Sequence, residues 1–176
     1  RMGDPKKTKA KMEEFIDFRN SIANQREKLK KLIRLQMDSC TDKQYARYID
    51  DLKEIYYDLK VSISDATIVA HSKTLAHILP NLIPPIDRQH TVRFFTQDNK
   101  KFFTETGKYR RVNLPKDIDA QFGDFKNYAC RIKSLLDRCD RQLFTIDKVS
   151  SNTSYPKIMD NLIMAFVKDV PKPKKQ

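Results

Sequence analysis

Apolar positions recur along most of this chain at spacings of three and four residues, the signature of helices that bury one side. Between 5 and 37 the stripe is Met12, Phe15, Ile16, Ile22, Ala23, Leu29, Leu32, Ile33 and Met37, set among charged residues. This predicts one long helix or two, an N-terminal arm interrupted at Asn20-Ser21, where both residue types favour caps over helix interiors. Thr41, with Gln44 three residues on, has the form of a capping box, and the stripe Tyr45, Tyr48, Ile49, Leu52, Ile55, Tyr56 and Leu59 carries that helix to about 60.

The next stretch breaks the rhythm and concentrates polar chemistry. Ser64 or Asp65 is placed to cap a helix over 66–79, which Pro80 ends. Pro84-Pro85 then imposes an extended course, because each proline fixes its own φ and restricts the residue before it. Asp87 follows at the N-cap position of a helix over 87–95. This segment holds all three histidines, His71, His77 and His90, between apolar residues, so a site is sought here first.

Periodicity fails over 96–113. Phe102, Phe103 and Tyr109 alternate with Lys101, Lys108, Arg110 and Arg111 across Gly107, which reads as a small hairpin or an irregular loop. The same alternation is the composition of a surface that tracks a nucleic-acid backbone and stacks on bases. A further stripe, Ile118, Phe122, Phe125, Tyr128, Ala129, Ile132, Leu135, Leu136, Cys139 and Leu143, predicts a helix opened by Asp117, with Gly123 as a kink or a division. Ser154 and Pro156 open the last helix, whose apolar side is Ile158, Met159, Leu162, Ile163, Phe166 and Val167. The fold class is therefore mainly α: a single bundle-like domain of about six to eight helices, with at most that one small hairpin. It comprises an arm over 5–37, a core over 41–169 and a basic tail over 170–176.

Composition sharpens this reading. At 176 residues the chain can bury a core without disulfides, and Cys40, Cys130 and Cys139 are an odd set with no C-x-x-C. They read as thiols in a reducing, cytoplasmic setting, and no metal or cofactor is expected. No apolar run approaches the ~20 residues that span a bilayer, so no membrane partner is expected. The net charge of +12 favours a polyanion, DNA or RNA, since cations that neutralise phosphates release counterions. The terminal lysines are equally compatible with solvated tails.

No phosphate-cradling glycine loop, Ser/His/Asp order or H-E-x-x-H occurs, which removes most enzyme classes. One resemblance enters at Ser72-Lys73-Thr74-Leu75-Ala76, followed by Pro85-Ile86-Asp87 and His90-Thr91-Val92-Arg93. This resembles the segment of helix-hairpin-helix DNA glycosylases in which a Lys-Thr-Ala helix leads to Pro-Val-Asp-Thr-His-Val. Where that family has a glycine hairpin, this chain has Thr67-Ile68-Val69-Ala70-His71. The resemblance implies a helical fold, a DNA partner and a catalytic carboxylate at Asp87. It gives Lys73 no catalytic role, because the family's catalytic lysine precedes the hairpin. The same stretch, with Pro84-Pro85-Ile86-Asp87-Arg88, also resembles a set of uncharacterised microbial helical proteins and brings no mechanism from them.

If the chain is an enzyme, Asp87 stabilises a cationic sugar or orients water, with Lys73, Arg88, His90 and Arg93 on phosphates. An N-cap aspartate also contributes ~1 kcal/mol with no function, so capping and catalysis both stand at this point. The expected function is nucleic-acid binding of a glycosylase-like kind; the alternative is a non-catalytic helical interaction module.

Overall fold

The stripe that opens at Ile118 forms the longest helix among the described residues, and most of the other elements gather along it. A computed structural model describes residues 12–96, 112–139 and 153–169, and the regular elements among them are all helical. In chain order they are α1 (Phe15–Asn24), α2 (Arg26–Leu32), a single 3₁₀ turn (Met37–Ser39), α3 (Asp42–Asp51), α4 (Lys53–Asp58), α5 (Ile68–Ile78), α6 (Thr91–Thr96), α7 (Ile118–Arg138) and α8 (Tyr155–Asp169). The mainly helical domain of six to eight helices is thus what the chain adopts. The expected hairpin falls within 97–111, outside the described residues.

Helix α7 meets α3, α4, α5, α6, α8 and the 3₁₀ turn. Its inward side, Phe125, Ala129, Ile132 and Leu136, is fully buried against Tyr45, Ile49, Leu52, Ile55 and Tyr56 from α3 and α4. Fully burying each such side chain contributes about 1.5–3 kcal/mol, so packing along α7 rather than helix propensity holds these short helices. Truncating Phe125 to alanine would remove a central ring at a cost of about 3–5 kcal/mol.

Local breaks differ from the expected ones for identifiable reasons. Ser21 stays inside α1 because its Oγ donates to Phe18 O at 2.7 Å and accepts from Lys60 N at 3.2 Å. The interruption falls instead at Gln25, whose backbone N–H turns back to Ile22 O and whose buried side chain donates to Asp58. A similar tightening at Leu52 divides the expected 41–60 helix into α3 and α4 while the stripe runs on. The Thr41–Gln44 capping box forms as read, and Asp117 caps α7 through Ala120 N. Gly123 does not divide α7, which runs unbroken from Ile118 to Arg138.

The start of α5 is held in an unexpected way. Neither Ser64 nor Asp65 caps it; Gln121 of α7 does so from across the fold. Its Oε1 accepts from Thr67 N at 2.6 Å and Ile68 N at 3.0 Å, and its Nε2 donates to Asp65 O at 2.6 Å and Lys116 O at 2.9 Å. Gln121 is 1% exposed.

Candidate functional site

Three contacts fix the course of the chain between α5 and α6. Tyr45 Oη donates to Leu82 O at 2.9 Å, Met37 N donates to Asn81 O at 2.8 Å, and Ser72 bonds both ways with Ile86. Ser72 Oγ accepts from Ile86 N at 3.1 Å and donates to Ile86 O at 3.2 Å, so a buried α5 side chain clamps the residue just before Asp87. Ile83 and Ile86 are fully buried. The extended course expected of Pro84-Pro85 is thereby seated against α3 and α5, and Asp87 is delivered to one edge of it.

Asp87 closes a turn rather than starting a helix. Its Oδ1 accepts from Gln89 N at 2.7 Å, His90 N at 3.2 Å and His90 Nδ1 at 3.0 Å, while Oδ2 accepts from Lys73 Nζ at 3.2 Å. Thr91 Oγ1 accepts from Asp87 N at 3.0 Å, and α6 begins only at Thr91. This corrects the expected 87–95 helix: residues 88–90 form the turn that the aspartate satisfies. Burial works against ionisation of Asp87. The Gln89 amide, the Lys73 hydrogen bond and charge, and the His90 charge together outweigh it and hold the carboxyl below its ordinary range.

Asp87 opens on a groove of about 510 Å³ between α5, the Pro80–Pro85 course and the first turns of α8. That size is in the range of small-ligand clefts, which run about 300–1,000 Å³. Lys73, His77 and Asp87 line one wall; Lys157, Asp160 and Met164 of α8 line the other. Lys157 Nζ meets Asp160 Oδ2 at 2.6 Å, and Asp160 is 5% exposed. Two lysine–aspartate pairs therefore face the same space, and the lining carries no net charge while its histidines are neutral. Such a wall presents donors, acceptors and an apolar floor, but no surplus of cations for a phosphate chain.

The expected site residues separate accordingly. Asp87, Lys73 and His90 are brought together, and His77 joins them from the same side of α5. Arg88 does not line the groove. Arg93 is 4% exposed within α6, so its guanidinium is not presented to a backbone phosphate. His71 is likewise internal, its ring 4.7 Å from Tyr56 in an edge contact. Burial pushes the His71 imidazole down to about 4, with the Lys60 charge in the same sense and a backbone hydrogen bond at Leu59 against it. The α8 pair, Lys157 and Asp160, escaped sequence reasoning because its three-residue spacing resembles any surface ion pair.

A second, wider groove of about 680 Å³ lies between α2 and α3–α4. Most of its charged residues are exposed, as in the Lys28–Glu54 pair, and none of its carboxylates is drawn inward as Asp87 and Asp160 are. Among the described residues no cluster of three or more potential metal ligands occurs, and no helix is long and apolar enough to cross a membrane. Comparison with protein-family models, with curated proteins and with solved structures finds no match for this chain.

Proposed function

We propose that this protein binds nucleic acid, with most of the electrostatic attraction supplied by the basic stretches of its sequence at 1–11, 97–111 and 170–176. The supporting observation is how the charge is divided. The described residues carry 20 Lys and Arg against 18 Asp and Glu, a net +2, so the other 46 residues carry +10 of the total +12. Residues 1–11 hold a net +4, 97–111 a net +3 and 170–176 a net +3. A surplus of Lys and Arg over Asp and Glu within a stretch of sequence is what a phosphate backbone rewards, through released counterions. In this reading the groove cations are already paired and contribute little to backbone contact. Lys73 and His90 then serve Asp87, and Arg88 and Arg93 have no part in binding.

The test is a titration of labelled mixed-sequence DNA and RNA at rising salt. Binding should weaken linearly in log–log form, with a slope of about −0.7 to −0.9 per phosphate neutralised. Replacing Lys100, Lys101, Lys108, Arg110 and Arg111 by glutamine should flatten that slope, while Lys73→Gln should leave it nearly unchanged. Absence of binding to either nucleic acid at low ionic strength ends this reading.

A second reading, base excision of the glycosylase kind, is favoured by one observation: an ionised carboxylate with a side chain 25% exposed to a ligand-sized groove. Asp87 has one oxygen occupied three times and the other once, which leaves acceptor capacity for a water or a cationic sugar. It requires that the protein release a base from some damaged duplex and that Asp87→Asn bind but not release it.

A further inference from the structure

A row of aromatic rings crosses α6, α7 and α8, and none of them lines the Asp87 groove. Phe166 is 59% exposed, and its ring stands edge-on to Phe94 at 5.3 Å; Phe94 in turn meets Phe95 at 5.0 Å. Phe95 stacks on Tyr128 at 5.8 Å with an interplanar angle of 18°, and the exposed Arg131 guanidinium lies 4.3 Å from the Phe95 ring centre. Arg131 Nη1 also donates to Phe95 O at 3.4 Å, which fixes that cation on the ring. Leu162, one turn before Phe166, is 44% exposed and extends the apolar end of the row.

We propose that this row is a stacking platform for single-stranded nucleic acid, with a base on Phe166 and a backbone phosphate at Arg131. The inference rests on the nucleic-acid reading above and names its strand state and surface. Phenylalanine has no hydrogen-bonding group, so its exposure is not repaid by water; a base face covers it without demanding a particular sequence. Charge decides between a nucleic acid and an apolar protein partner. The row ends in a cation at Arg131, and α6 leads directly into a sequence stretch of net +3. A duplex has its bases already stacked on one another and cannot offer a face to Phe166, so the platform selects unpaired strands.

The experiment uses the full chain, a mixed-sequence single strand carrying 2-aminopurine, and the matching duplex, at one fixed low salt. Stacking on Phe166 should quench the 2-aminopurine emission on binding, and the single strand should bind more tightly than the duplex. Phe166→Ser, a surface change that leaves the core intact, should relieve the quench and weaken single-strand binding about tenfold, with duplex binding and salt slope unchanged. Arg131→Gln should weaken the single strand and lower its salt slope by about 0.7. If the parent protein binds both strands equally and Phe166→Ser alters neither affinity nor emission, the platform is refuted while nucleic-acid binding survives, and the patch is left to a protein partner. If neither strand binds, the underlying reading fails and the platform falls with it.

Discussion

Two polar nodes bracket α5, and they differ in what surrounds them. At its start Gln121 is 1% exposed and bonds only to backbone groups and the Thr67 hydroxyl; beyond its end Asp87 has a side chain 25% exposed and takes ammonium and imidazole partners as well as amides. Gln121 is neutral and saturated, with both hydrogens and its oxygen committed. Asp87 is charged, open on one side and faces a groove. A saturated neutral node in the interior serves position alone, because any partner lost there is not replaced by water. A charged node at a groove edge can be remade by solvent or by a ligand, so it costs less to perturb and has more chemistry to offer.

The largest effect that would sharpen this contrast belongs to Gln121→Leu. It strips protein partners from the Thr67 and Ile68 amides and from the Asp65 and Lys116 carbonyls, each worth about 1–3 kcal/mol when left unmade in a buried setting. Urea unfolding should show a loss of at least about 3 kcal/mol. Gln121→Glu keeps the acceptor but cannot donate while ionised, and should fall between the two. A loss below about 1 kcal/mol for leucine would mean that water enters and the node is not closed.

The next effect lies within α5 itself, at His71. Its pKa falls from 6.5 to about 4 on folding, so the unfolded chain binds more protons at this site between those values. Stability from His71 is therefore complete above about pH 6.5, declines as pH falls, and is exhausted near pH 4, a change of about 3 kcal/mol. Asp87 acts in a different window with its own sign. Its carboxyl is depressed, so its contribution is present above the ordinary value of 3.8 and is lost below it, as pH falls through the folded value. His71→Phe keeps an aromatic edge for Tyr56 and should flatten the profile between pH 4 and 6.5 while leaving the steeper acid limb. A profile unchanged by that substitution would place the acid sensitivity elsewhere.

How much of this was legible in the sequence follows from the same contrast. Thr41 with Gln44 and Asp117 with Ala120 are caps closed within three residues, so the chain announces them locally. The stripes of α3, α7 and α8 are local in the same sense, and the helical fold followed from them. Gln121 caps α5 from more than fifty residues away, and nothing near Ser64 or Asp65 signals that a side chain from α7 will displace them. At the groove, Asp87, Lys73 and His90 were legible because they lie on one short stretch about a stiff Pro-Pro course. Lys157 and Asp160 come from α8, and only tertiary packing adds them. Arg93 shows the limit from the other side: α6 has six residues, too few for its stripe to say which face would be buried.

The smallest expected effect tests whether Asp87 is a structural node at all. Asp87→Ala removes an acceptor for the Gln89 and His90 amides, and losses of this kind average about 1 kcal/mol for capping residues. Asp87→Asn retains an oxygen for those amides and forfeits the charge. The Lys73 partner is 49% exposed in its side chain, and exposed pairs contribute about 0–1 kcal/mol, so asparagine should cost about half a kcal/mol or less. The two substitutions thus separate the amide contacts from the ion pair, with chemical denaturation at neutral pH as the measurement. Should alanine instead cost as much as Gln121→Leu, Asp87 would be a closed structural clasp, and both the contrast between the nodes and the excision reading at the groove would go with it.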